Sequence, residues 1–230
     1  EGVIVERVGI PERAGELKNI TRVLSDVPVA TTQSLLLIDT IAAHFAANPW
    51  DVIRSAIPAR VASVDKNFAI RSLHIENKAK FSVEFQTLAP YIEAHDQLVN
   101  LVLSNSGSGS VLVIAPDEKD VDRIIQSLDM NGVKALKLTA AIPREERYRN
   151  YLQAMHGGNS VVVGTRSAIF APVYNLNTII VHKESSLDHY EIRSPGWNSR
   201  SVALIRSKSE SVKLILTGFS PSIEVSQLIE

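Results

Sequence analysis

The chain contains no cysteine. That excludes disulfides, thiolate metal ligands and a cysteine nucleophile from it. It also lacks any run of about 18 apolar residues long enough to span a bilayer, so no membrane partner is expected. An excess of either charge is missing too: Lys+Arg number 24 against 25 Asp+Glu, a formal net charge of −1. Bulk charge therefore makes no case for nucleic acid, and any basic surface has to be local. There is no G-x-S-x-G nucleophile elbow, and no dinucleotide fingerprint follows any strand pattern. The start lacks Met and opens directly on the strand-like Glu1-Gly2-Val3-Ile4-Val5. A piece of a longer, intracellular protein is expected.

What is present is a core-forming α/β pattern organised around residues 160–181. Val161-Val162-Val163 is a short β-branched run, followed by a turn at Gly164 and by Thr165-Arg166-Ser167. A second apolar strand closes the stretch at Thr178-Ile179-Ile180-Val181. Strands apolar on both faces belong in a parallel sheet covered by helices. Ligands of such sheets bind outside the carboxyl ends of the strands, where Thr165-Arg166-Ser167 would sit.

Before that stretch, Val3, Val5 and Val8 suggest a strand up to Gly9, and residues 17–24 suggest another. Thr31 or Thr32 can cap a helix carrying Leu35, Ile38, Ile41, Ala42 and Phe45 at helical spacing. Asn48-Pro49 reads as cap and first residue of a second helix that ends at Pro58. Residues 62–84 read as a linker with room for one strand. From residue 90 onward helix and strand patterns alternate. Helices are expected at 90–103, 117–128, 143–155, 200–208 and 221–229, and strands at 111–115, 133–138 and 212–216, besides the central pair. This alternation predicts a mostly parallel three-layer sheet with right-handed crossovers.

Several motifs invite chemistry. Gly107-Ser108-Gly109-Ser110 resembles part of a phosphate loop, but no Lys follows and the segment runs into a strand rather than out of one. A flexible loop is expected. After the second central strand, His182-Lys183-Glu184-Ser185 offers one carboxylate where a motor ATPase needs an acidic pair. A solvated loop is expected there. His182 and His189, with Glu184 or Asp188, lack metal-site spacing, so no metal is expected. Arg144, Arg147 and Arg149 share a helix with Tyr148 and Tyr151. That mixture suits single-stranded nucleic acid and equally suits a helix face with a Glu145–Arg149 pair. Arg193, Arg200, Arg206 and Lys208 follow.

One family does carry much of this pattern. Arg147-Tyr148, Gly158, the run from Val163-Gly164-Thr165-Arg166-Ser167 to Ala171-Pro172, Asn175-Leu176 and Ile179-Ile180-Val181 resemble the first helicase lobe of the primosomal protein N-prime (PriA) replication-restart family. Arg200-Ser201-Val202-Ala203 matches its R-x-x-A helix, and Thr217 to Ser222 is an eroded form of its G-S-A-T-P-S. Residues 38–58 are similar to the end of the family's DNA-binding domain, which captures the 3′ end of a nascent strand.

The departures matter more than the matches. The family's phosphate loop has no counterpart in residues 85–95, and its D-E-E-H is replaced by His182-Lys183-Glu184-Ser185. The family's ATP and magnesium are therefore not supported by these residues, and neither is its cysteine-held structural zinc. The pattern resembles the actinobacterial-type branch that lacks helicase motifs.

The resemblance implies a RecA-like first helicase lobe over 85–230, the end of a small α+β DNA-binding module over 1–61, and a linker over 62–84. It implies no catalysis, with forked or single-stranded DNA and other primosome proteins as partners in the cytoplasm, at the nucleoid. Thr165, Arg166 and Ser167 are the first DNA-contact candidates, then Arg144, Arg147, Arg193 and Arg200. A residual ATP-dependent motor and a scaffold that binds no DNA are the competing expectations.

Overall fold

A computed structural model describes residues 2–5, 8–9, 15, 19–70, 80–90, 93–157, 160–194 and 196–229. Six strands form one parallel sheet in the order β1-β6-β5-β2-β4-β3. They are β1 Ser82–Thr87, β2 Ser110–Ile114, β3 Leu136–Leu138, β4 Val161–Gly164, β5 Leu176–Val181 and β6 Lys213–Gly218. The helices are α1 Thr32–His44, α2 Pro49–Ala56, α3 Ala62–Asn67, α4 Glu93–Ser106, α5 Glu118–Met130, α6 Arg144–Met155, α7 Ser199–Glu210 and α8 Ile223–Ile229.

The α/β expectation holds, and the sheet is parallel throughout. Side chains alternate between its two faces with period two. Leu112, Ile114, Val162, Ile179, Val181, Leu214 and Leu216 pack with α1, α2, α6 and α7 on one face. Val111, Val113, Val161, Val163, Ile180 and Ile215 pack with α4 and α5 on the other. Both faces are dry, which is why the strands read as unbroken apolar runs.

Local chemistry sets the helix starts. Thr31 and Ser34 form a reciprocal capping box on α1. Asn48 caps α2 with Pro49 in its first turn. Asp117 caps α5, and Asn198 caps α7. At Gly164 the close approach is decisive. A Cβ there would lie 2.3 Å from the Leu138 carbonyl oxygen and 2.5 Å from the Ala168 Cβ, so only glycine lets β4 turn tightly into the 3-10 turn Arg166–Phe170.

Four expectations change. Residues 2–5, 8–9 and 19–30 are described without any strand, and the rest of the two expected strands lies outside the described residues. Alternating valines do not make a strand without a ladder partner, and Val5, Val8, Ile20 and Val23 stay exposed. Residues 62–67, read as linker, form α3, whose Val64 joins the buried cluster of α1 and α2. The middle of that stretch, 71–79, lies outside the described residues.

The segment 104–110 is no free loop. Its first residues finish α4, Asn177 donates to the Ser108 carbonyl at 3.2 Å, and Ser110 N donates to the Asn175 carbonyl at 2.8 Å. Finally, β5 starts at Leu176, two residues before its apolar run, because Leu176 pairs with Ser110 across a register shift.

Candidate nucleic-acid interface

The carboxyl ends of the strands carry the segments singled out from the sequence. After β5 comes His182-Lys183-Glu184, and here the expectation of a solvated loop fails. Glu184 is fully buried, with a side-chain exposure of 0%. It accepts from Arg200 Nη1 at 2.6 Å, Ser222 N at 2.7 Å and Ser222 Oγ at 3.0 Å. Its own amide donates to the Thr217 carbonyl at 2.9 Å. A buried carboxylate is tolerable only with this many donors. Arg200 completes the clamp by donating to Ser222 Oγ at 2.9 Å.

Lys183 adopts a left-handed backbone, φ 51°. That turns its Nζ onto both oxygens of the buried Asp120, at 2.7 and 2.8 Å. His182 Nδ1 lies 3.1 Å from Thr217 Oγ1, and His189 Nε2 donates to the His182 carbonyl at 2.9 Å. Burial pushes the His189 pKa down, outweighing the hydrogen bond to that carbonyl, which would raise it. A neutral imidazole locked in a backbone contact holds the loop. Among the described residues no group of three His, Cys, Asp or Glu is placed to hold a metal ion.

The turn after β1 stands where the phosphate loop would be. Its Ala89 amide donates to Gln97 Oε1 at 3.0 Å, and Leu88 N donates to the Gly218 carbonyl at 2.9 Å. Residues 91–92 of that turn lie outside the described residues.

The candidate DNA contacts divide between two places. Thr165 follows β4 and Arg166 opens the 3-10 turn. Arg166 Nη1 donates to the Asp188 carbonyl at 2.9 Å, and Glu191 stands 3.6 Å from its Nη2. Arg193 is exposed on the same loop. Arg200 belongs to the Glu184 clamp.

Ser167 and Arg147 instead line a groove of about 1020 Å³ between the extended segment 22–31, α2, α6 and the 3-10 turn. Arg144 sits at its edge and donates to the Arg60 carbonyl at 2.6 Å. Tyr148 and Tyr151 form the floor. Tyr148 donates to Asp65 at 2.6 Å and Tyr151 to the Val29 carbonyl at 2.8 Å. Burial drives the Tyr151 hydroxyl far above the usual phenol range, so it stays a donor. Burial raises the Asp65 carboxyl, but donors from Tyr148, Ser25 and Arg60 outweigh that and hold it below its ordinary value. The groove was not legible in the sequence, because α2 and α6 come together only through the core.

No family model matches the chain. A curated protein of Mycobacterium tuberculosis (strain ATCC 25618 / H37Rv), "Probable replication restart protein PriA", is 28% identical over 256 residues, covering 100% of this chain and 39% of that protein. The Mycobacterium leprae (strain TN) protein of the same name is 27% identical over 261 residues, covering 100% and 40%. Its curated homologues are replication restart proteins named PriA. This agrees with the resemblance carried by residues 147–181 and 200–222. The chain spans about two fifths of the length of the PriA proteins it matches along its whole length. Among solved structures, the C-terminal domain of the DEAD-box protein Dbp5 is similar, at 15% identity and a TM-score of 0.45, over 66% of this chain and 83% of that one.

Proposed function

We propose that this chain serves replication restart by recognising branched DNA, without hydrolysing nucleotide. The observation that carries the second half is the sheet edge. Phosphoryl transfer needs a phosphate-binding Lys and acidic residues free to hold magnesium. Here Lys183 is taken by Asp120, and Glu184 by Arg200 and Ser222. Opening either pair to admit a metal would leave a buried charge without its partner.

The PriA homology supports the first half. In this reading residues 85–230 form a degenerate helicase lobe and residues 1–61 the end of a 3′-end-binding domain. The division is functional rather than a break in packing, since α1, α2 and α3 share the core of the sheet. Thr165, Arg166 and Ser167 meet the phosphate backbone. Arg166 is partly exposed, and its 3.6 Å approach to Glu191 is loose enough to exchange for a phosphate oxygen. Arg193 and Arg144 add positive charge, whereas Arg200 holds the Glu184 loop. Other primosome proteins are the expected protein partners.

The test is fluorescence anisotropy of the chain with forked DNA bearing a free 3′ end, beside a blunt duplex, across a salt series. Fork binding that weakens steeply with salt and drops on Arg166→Ala is expected, with no DNA-stimulated ATP hydrolysis. Absence of binding to either DNA at low salt would replace this reading with a protein scaffold, which the net charge of −1 favours. Magnesium-dependent hydrolysis would restore the motor.

A further inference from the structure

We infer that the groove between segment 22–31, α2 and the 3-10 turn is a second nucleic-acid contact, taking a short run of single-stranded nucleic acid. Trp50 stacks on a base while Arg54 and Arg147 meet phosphates. This rests on the proposed function and adds a site to it.

The argument starts from charge. The chain as a whole is near neutral, yet the charged residues lining this groove are Arg22, Arg54, Arg60 and Arg147 against Asp26 alone. Arg60 is paired with Asp65. Arg22, Arg54 and Arg147 make no ion pair among the described residues. Cations without an ion pair, such as Arg193, also occur elsewhere on the surface, but here three of them share one cavity with a single carboxylate, Asp26, and that leaves positive charge open. It calls for an anion.

The anion is an extended one with flat groups. Trp50 is 42% exposed on α2, and Arg54 lies one turn further along the same face, at the i, i+4 spacing that makes the two neighbours. An indole beside a guanidinium, in a positively charged groove, is the arrangement that tracks a single strand: bases stack on the ring while cations follow the backbone. A volume of about 1020 Å³ exceeds what one small ligand fills and suits several nucleotides.

Arg147 supplies the independent observation. Its Nε is buried with no hydrogen-bond partner among the described residues. Leaving a charged donor desolvated and unpaired is costly, and a phosphate oxygen would satisfy it with a charge-assisted bond. Ser167 lines the same groove, so a strand lying there would run directly onto the Thr165-Arg166-Ser167 turn.

The chain has two tryptophans, and Trp197 is 1% exposed, packed edge-on against Phe170. A change in indole emission on titration therefore reports Trp50. An oligothymidylate about 10 nucleotides long is the probe. Quenching is expected, with an affinity that falls steeply as salt rises. Trp50→Phe should abolish the quench and weaken binding, measured by anisotropy, by about 10-fold. Arg54→Ala and Arg147→Met should each reduce the salt slope by about 0.7, and circular dichroism verifies that each variant is folded.

Variants that bind the oligomer and the fork like the unsubstituted chain would overturn the groove while leaving fork recognition standing. Quenching without any preference for the fork would keep the groove and sink fork recognition. Equal displacement by poly-glutamate would also overturn the proposal, because it would make the groove a site for acidic peptide.

Discussion

The sheet edge and the groove hold the same kinds of side chain in opposite states. At the edge the two charges that follow β5 are both taken: Lys183 by Asp120, and Glu184 by Arg200 and Ser222. In the groove, a short distance along the same fold, Arg22 and Arg54 make no ion pair and the Arg147 Nε has no hydrogen-bond partner among the described residues. The lesson is that motif position and ligand capacity separate. The edge stands at the carboxyl ends of the strands, where ligands of such sheets bind, but satisfies itself. The groove gathers motif residues such as Arg147 and Ser167 with segment 22–31 and α2, which no motif marked, and it has donors to spare.

The sharpest way to break this contrast is Glu184→Ala. It takes from Arg200, only 14% exposed, its close carboxylate partner, leaving Glu224 at 3.7 Å, and it removes three acceptor contacts. A loss of about 3–5 kcal/mol is expected in urea unfolding. A loss below about 1 kcal/mol would show that the edge is not clamped.

Gly164→Ala comes next. Its Cβ would collide with the Leu138 carbonyl, at 2.3 Å. About 1–3 kcal/mol of overpacking should appear as a lower melting temperature, and the Ser167 side of the groove should shift with it.

A pH effect separates the two regions further. Burial keeps the folded-state pKa of His189 below 6.5, so folding favours its neutral form. That contribution is present above about pH 6.5 and is lost as pH falls through the window below it. The urea midpoint should decline there, and His189→Gln should flatten the decline; an unchanged slope would remove His189 from the account.

Smallest of all are Asp120→Asn and Arg147→Met. Lys183 is 40% exposed, so its bridge contributes about 0–1 kcal/mol. Arg147→Met should leave stability within about 1 kcal/mol, because it removes a donor with no partner. A large loss in that variant would mean that Arg147 is a structural residue, and the contrast between edge and groove would fail.

Much of the sheet was readable from the residues. Val111 to Val113, Val161 to Val163 and Ile179 to Val181 are apolar on both faces, and only a covered parallel sheet accepts that. Caps at Thr31, Asn48 and Asp117 marked helix starts within a residue. The front strands misled because alternation at Val3, Val5 and Val8 reports side-chain chemistry and not the presence of a ladder partner. Glu184 misled for a related reason. Its burial depends on Arg200, Ser222 and Thr217, which lie 16 to 38 positions away and reach it only when β5 and β6 pair.

The sequence by itself determined the α/β class, the capped helix starts at Thr31, Asn48 and Asp117, and the single carboxylate after β5, since these follow from side-chain period, local capping and residue identity. Only the tertiary structure decided which charges are spent and which stay open. An ion pair depends on distance and desolvation, and both are set by the packing of elements far apart in the chain. That is why Lys183 and Arg147, indistinguishable as basic residues in the sequence, end as a closed bridge and an open donor.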